Sequence, residues 1–371
     1  MTAAATAGVV IVGGGLAGSL LALALRERGT AVTLVDAPPV APPGGARGVC
    51  SATAISYGAL PGWPLAPTPL ARLAAGASRQ WRRLQIQHGD LGWRRLPLRL
   101  HGGPAWMGVV RAWWPLPFAQ VDTAVLAARL PGALEAAGVT CRVARVEQLA
   151  ATPEPGWVLQ LDDGTSLTAR QVVLAAGAGC RPLWPGLPEG LRSSWAAVVE
   201  LPSAPLVQTW PAARLPAGFT RVGLERRAAS LTRAEWLVDG GLVPRGDGAL
   251  LGQHTLVRPG LELGSPPPEG EVEQQLRGCL AGQAWATPLA PLPGRLRQAA
   301  VAFCTQGVPL VGPVAKAPGL WVFSGFSAGF SQVPVLASVV AEALVAGGDR
   351  SAGAMRRLRQ LGLFWPDLPG G

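Results

Sequence analysis

The sequence predicts an α/β chain in which a Rossmann-like nucleotide sheet is joined to a second region of mixed sheet. Three stretches predict it. VVIVGGGLAGSLLALALRERGTAVTLVD, ending at Asp36, reads as strand, glycine turn, helix, strand and acid. QVVLAAGAG, ending at Gly179, repeats the strand-to-glycine turn. LWVFSGFSAGFSQVPVLASVVAEAL, from Leu320, reads as strand, Gly/Ser loop and helix.

The elements follow in order. Val9 to Val12 is an all-apolar run, as a parallel strand covered on both faces requires. Gly13, Gly15 and Gly18 form G-x-G-x-x-G, and Leu16 to Arg28 is expected to be helical. One glycine makes the tight turn, one lets backbone N–H groups approach a pyrophosphate, and one lets helix and strand pack closely. Asp36 closes the second strand, where a carboxylate accepts hydrogen bonds from a ribose. Gly44 to Ser51 would return the chain towards the phosphates. Residues 52–118 are rich in Trp, Pro and Arg, with one helix expected over Pro69 to Gln87. A further helix is expected from Thr123 to Ala137, with Gly138 as its stop. VTCRVARVEQL reads as a strand, and the stretch from Gly156 as a hairpin turning at Asp163-Gly164 before a buried strand. No helix is expected behind Gly177 to Gly179, because Arg181, Pro182, Trp184 and Pro185 break the chain. Residues 186–300 read as mixed sheet, with a strand over Leu250 to Val257 and a helix entered near Glu271. In the last helix Pro334 is expected in the first turn, with an apolar face of Leu336, Val339, Val340, Ala343 and Leu344. Its N-terminus points at the Gly/Ser loop, where its partial positive charge would stabilise an anion.

Composition narrows the class. A chain of 371 residues, 49% hydrophobic and 15% charged, has material for a large core. No apolar run is long enough to span a bilayer, and the N-terminus lacks a basic leader, so a cytoplasmic protein is expected. Cys50, Cys141, Cys180, Cys279 and Cys304 are scattered, with no C-x-x-C spacing for a disulfide framework or zinc. The net charge is +10, and Lys316 is the only lysine. Arginine clusters suit anionic substrates or cofactor phosphates; a nucleic-acid partner is the competing reading, without a recognition motif to carry it.

The glycine motif at 13–18, the LAAGAG strand and the terminal strand–loop–helix, in this order, resemble the FAD-dependent oxidoreductases of the D-amino-acid oxidase type, which include glycine oxidases and sarcosine oxidases. The resemblance implies non-covalent FAD, a discontinuous FAD-binding domain (1–51, 119–185 and 300–371) and a substrate domain (52–118 and 186–299) on a mixed, largely antiparallel sheet. It implies oxidation of a C–N bond of a small-molecule amine or amino acid by hydride transfer to the flavin, hydrolysis of the imine, and oxygen or another electron acceptor. Position by position, it assigns Gly13, Gly15, Gly18 and Asp36 to the ADP half of FAD. Arg47 and Ser51 match contacts to pyrophosphate and isoalloxazine, Val146 a backbone contact to adenine, and Gly177 and Ala178 the turn beside the cofactor. Gly307 matches part of the D-G-x-P-x-x-G turn, and Gly325, Phe326, Ser327, Ala328, Gly329 and Phe330 match the loop under the flavin. The chain departs from the pattern at Gln306, where the family has Asp, and its SGFSAGF loop carries neither the His of sarcosine oxidases nor the Arg of glycine oxidases.

On the substrate side, a carboxylate would want a bidentate arginine, and Arg221, Arg245, Arg258 and Arg297 are the candidates. His254 lies on a strand that the family packs near the active site, and Tyr57 could line the flavin's face. His254, Arg258 and Tyr57 are therefore the expected catalytic residues. Two other readings stay open. S-A-G-F…V-P-V-L-A is similar in spacing to S-R-G-L…A-P-L-L-A of the FAD oxidase domains that act on carboxymethylaminomethyl-uridine in tRNA. Alternatively, the departures mark a flavin-binding protein that has lost catalysis.

Overall fold

A computed structural model describes residues 7–38, 50–102, 116–208 and 212–363. The first sheet has eight strands. They are β1 (Ala7–Val12), β2 (Val32–Asp36), β7 (Thr140–Val143), β8 (Val146–Ala151), β9 (Trp157–Leu161), β10 (Ser166–Leu174), β17 (Leu310–Pro313) and β18 (Leu320–Ser324). Along β7-β2-β1-β10-β18 every pairing is parallel, and β17 closes that edge antiparallel. The β8-β9 hairpin adds to β10. Helices Leu16–Arg26, Thr123–Ala136 and Gly329–Val345 share one apolar cluster with one face of this sheet. Val10, Val12, Val172 and Leu174 point into a second cluster on the opposite face, with Trp157 and Leu187. Burial on both faces accounts for the unbroken apolar runs of β1 and β10.

The second sheet has seven strands. They are β5 (Leu98–His101), β11 (Leu191–Leu201), β12 (Ala213–Pro216), β13 (Glu235–Val238), β14 (Leu242–Arg245), β15 (Gly248–Val257) and β16 (Arg295–Cys304). All pair antiparallel except β5 with β12. One face packs Val272, Leu276 and Leu280 of the helix Glu269–Ala281. The other gathers Tyr57, Phe118, Val198, Leu215 and Val243. A small sheet, β3 (Ala59–Pro61), β4 (Trp93–Arg95) and β6 (Phe118–Val121), is formed by the chain between β2 and β7. The strand β16 runs straight through residue 300, where a division between domains is expected, and carries the chain from the second sheet back towards the first.

Local physics shifts several elements. The single helix expected over residues 69–87 is two, Pro69–Ala74 and Ala77–His88. Thr68 caps the first through its hydroxyl, and the chain turns at Gly76, whose N–H bonds the Leu73 carbonyl. VTCRVARVEQL is two strands, β7 and β8, separated at Ala144-Arg145. Behind Gly177–Gly179 stands one short helical turn, Cys180–Leu183, where none is expected. The last helix begins at Gly329, so Pro334 lies in its second turn, inside the helix. Proline there has no N–H for the Phe330 carbonyl. That carbonyl instead accepts the buried Trp81 Nε1–H at 2.8 Å, and the two rings stack 5.9 Å apart.

Candidate active site

The glycine turn is fixed by close approach. Gly13 has φ +108°, and a Cβ there would stand 2.6 Å from the Ala175 carbonyl oxygen. A Cβ on Gly18 would run into the carbonyl of Gly13, so the helix Leu16–Arg26 can sit on its strand only without one. Gly15 offers that helix no side-chain cap of its own, and a helix N-terminus with open amides suits an anion. Asp36, at the end of β2, stands beside Gly14.

From here one cavity of about 1700 Å³ runs through the molecule. Gly13, Gly15, Asp36 and Val146 line one end. Ser51, Gly177, Ala178 and Gly307 line its middle, and Gly325, Phe326, Ser327, Ala328, Gly329 and Phe330 follow. It continues across the second sheet, past Tyr57, Leu98, Phe118, Leu215, Arg221, Glu225 and Gln253. Among the described residues the expected cofactor positions therefore meet in one space, with one exception that has its own reason. Gly18 is spent on helix packing and does not line the cavity. Arg47 lies outside the described residues.

The residues present fit FAD. The glycine turn leaves room where a side chain would stand, the helix N-terminus offers N–H groups beyond Leu16, and Asp36 offers an acceptor. Thr53, which no local sequence pattern marks, accepts the first helical amide, Leu16 N–H, on its hydroxyl at 3.2 Å and lines the cavity too. Cys304 also lines it, 2.5 Å from where a Cβ on Gly325 would stand. Burial pushes its thiol up to about 12.

The expected catalytic residues divide. Tyr57 lines the cavity, and its buried hydroxyl has no hydrogen-bond partner. Burial first, then Asp239, pushes that hydroxyl well above the ordinary tyrosine value, which keeps it a donor. His254 is not on the cavity. It pairs with Ala197 across the β11–β15 ladder, and both point to the helix Glu269–Ala281. There its Nε2 lies 2.8 Å from Gln275 Oε1 and its ring stacks on Trp236 at 5.5 Å. Strand alternation is the reason: the neighbour Gln253 takes the cavity side. Arg258 is also elsewhere, donating to the carbonyls of Leu263 and Ser265 at 2.8 and 2.6 Å. Of the arginine candidates, Arg245 and Arg297 pair with Glu200, and Arg221 alone lines the cavity.

Arg221 and Glu225 lie one turn apart on the short helix Arg221–Arg226, which puts them on one face. Arg221 Nη1 donates to Glu225 Oε1 at 3.2 Å, and Nη2 donates to the Ser327 carbonyl at 2.7 Å, tying the second sheet's helix to the glycine loop. Burial raises the Glu225 carboxyl, and Arg221 opposes that shift. Nothing in the local pattern RVGLER marks Glu225 as a site residue. Its signal is tertiary.

The family described as FAD dependent oxidoreductase (DAO) matches residues 8–114 and 97–343. No curated protein matches the chain. Among solved structures, glycine oxidase from Geobacillus kaustophilus is 19% identical, with a TM-score of 0.66 over 91% of this chain and 94% of that one. Iminodiacetate oxidase from a Chelativorans species is 18% identical, with a TM-score of 0.66 over 90% and 94%. L-proline dehydrogenase from P. horikoshii is 14% identical, with a TM-score of 0.68 over 92% and 93%. At these identities the likeness is one of fold.

Proposed function

This chain belongs to the DAO family of FAD dependent oxidoreductases, and from that premise we propose that it oxidises a C–N bond of a small amine or amino acid to an imine, which water then hydrolyses. The observation that carries the reading is the continuity of the cavity. It joins the Asp36 end to the Gly325–Phe330 loop and then to the apolar face of the second sheet. Glycine oxidase and iminodiacetate oxidase, whose folds it shares, carry names of the same reaction class.

Bound FAD supplies a two-electron acceptor for the substrate C–H. The chain's own residues do the rest. Gly13, Gly15 and Asp36 hold the dinucleotide end, and Ser51, Gly177, Ala178 and Gly307 line its path. The helix Gly329–Val345 starts in the cavity wall with no side-chain cap, so its N-terminal partial charge favours electron density arriving there. Phe118, Leu98 and Leu215 keep water from the reacting end. Tyr57 offers one hydrogen-bond donor, and the Arg221–Glu225 pair offers charge.

The test is anaerobic. The FAD-loaded protein is mixed with amino acids and N-methyl amines, and loss of the oxidised flavin band is followed; in air, peroxide release is measured. The band is expected to bleach with at least one compound of this class. Protein that takes up no flavin, or flavin that dithionite reduces and no amine or amino acid does, ends the reading.

A further inference from the structure

The charges where the cavity meets the second sheet identify a substrate class, on the reading above that a C–N bond is oxidised. Among the described residues Arg221 is the cation placed there, and two of its five N–H donors are taken. Nη1 serves Glu225, Nη2 serves the Ser327 carbonyl, and Nε is enclosed without a partner. Its backbone N–H donates to Asp239 at 3.0 Å, and Asp239 also accepts the Thr220 N–H at 2.8 Å and hydroxyl at 2.6 Å. One guanidinium thus stands among two carboxylates. A substrate carboxylate would arrive as a third negative group beside Glu225 and Asp239, against the single charge of Arg221.

An ammonium meets the opposite situation. Glu225 is 3% exposed and lines the cavity, and beside Tyr57 and Gln253 this end is lined by the apolar Leu98, Leu100, Phe118, Leu215 and Phe219. A cation buried among such groups needs a paired anion, and Glu225 is the anion within reach. Burial raises the Glu225 carboxyl, so an arriving cation also steadies its charged form. The other arginines of the wall are differently placed. Arg226 is exposed beside Gly307, and Arg145 neighbours Val146 at the Asp36 end. We infer that the substrate is an apolar amine without a carboxylate, and that Glu225 receives its nitrogen.

The experiment uses the FAD-loaded protein and matched probes. Hexylamine and hexanoate are titrated against the flavin absorbance band. N-methylhexylamine and its α-carboxylated counterpart are then compared as anaerobic reductants. Hexylamine is expected to perturb the band at a concentration about tenfold or more below hexanoate, equivalent to about 1.4 kcal/mol. N-methylhexylamine is expected to be the better reductant, and Glu225→Gln is expected to abolish both preferences. Hexanoate binding as tightly as hexylamine overturns the inference, as does a band that neither probe moves. A preference for the carboxylated amine that disappears in Arg226→Ala overturns it too. If Glu225→Gln does not fold, the wild-type comparison decides alone. If hexylamine binds through Glu225 while no amine reduces the flavin, the C–N reading fails and the ammonium site stands. If the carboxylated amine reduces the flavin and hexanoate binds better, the C–N reading stands and this inference falls.

Discussion

The two ends of the cavity are built in opposite ways. At the Asp36 end, backbone builds the wall: a turn without side chains, a helix start whose first amide Thr53 takes, and one acid at a strand end. At the second sheet, side chains do it: a tyrosine, a glutamine and an ion pair set in an apolar wall. Backbone recognition leaves its mark in consecutive residues, because the turn, helix and strand that form it are adjacent in sequence. Side-chain recognition draws on Tyr57, Arg221, Glu225 and Gln253, which come together only when the sheet has formed. The first end therefore tolerates little change anywhere in its turn, whereas the second tolerates change except where charge is buried.

The largest expected effect breaks the backbone end. In Gly18→Leu the new side chain meets the Gly13 carbonyl, and the helix Leu16–Arg26 must lift from its strand. Stability should fall by about 4 kcal/mol or more, and reconstitution should yield no bound flavin. Thermal melting and flavin absorbance measure the two losses. A yellow protein with an unchanged melt would show that the close approach is not needed.

Next comes the buried pair at the other end. Arg221→Leu leaves Glu225 enclosed without its cation. Losing one partner of a fully buried pair costs about 3–5 kcal/mol, and because 17% of the Arg221 side chain is exposed the expected loss is about 2–3 kcal/mol. Arg221→Leu combined with Glu225→Leu should recover most of it, since an apolar pair of similar volume leaves no unmet charge. Denaturant unfolding of the single and double variants tests this. A double variant no more stable than the single would remove the claim that charge, rather than packing, sets the cost.

Smaller again is Asp36→Ala. Asp36 is exposed, and its loss should leave the melt of the flavin-free protein unchanged while weakening FAD binding about tenfold, near 1.4 kcal/mol. Fluorescence titration of the flavin-free protein reads this directly. Equal affinities would detach Asp36 from the dinucleotide.

The same contrast explains what the sequence made legible. The strand, turn, helix and acid at 9–36 could be placed from spacing alone, and the described cofactor positions other than Gly18 do line one cavity. Pro334 was harder. Its place inside the helix is stable because Trp81, 253 residues earlier, takes the carbonyl that it leaves unpaired, and no local pattern announces that bond. His254 and Arg258 mislead for a related reason. Period-two alternation says that neighbours face opposite ways, yet which face is the cavity depends on where β15 bulges. Gly252, at φ +68°, sits at the irregularity in the β11–β15 register and sets which neighbour, Gln253 or His254, looks inward.

His254 supplies the smallest expected effect and the sharpest contrast with Glu225. Both are buried, and burial moves them in opposite directions. Glu225 is raised from 4.5, so the folded state holds its proton more tightly; the stability it contributes is present below that value and is lost as pH rises through the folded value. His254 is lowered from 6.5, so the folded state holds its proton less tightly; its contribution is present above 6.5 and is lost as pH falls through the folded value. His254→Phe keeps a ring against Trp236 and removes the bond to Gln275. A loss of about 1 kcal/mol is expected at neutral pH. The gap to wild type should narrow below pH 6.5, where the wild type alone loses the histidine's contribution. Anaerobic flavin reduction by the variant should stay within about twofold of wild type, because the ring lies across the sheet from the cavity. Unfolding curves across pH and single-turnover reduction rates measure both. A large fall in the reduction rate with little change in stability would move His254 back into the reacting end and undo the division of labour between the faces of β15.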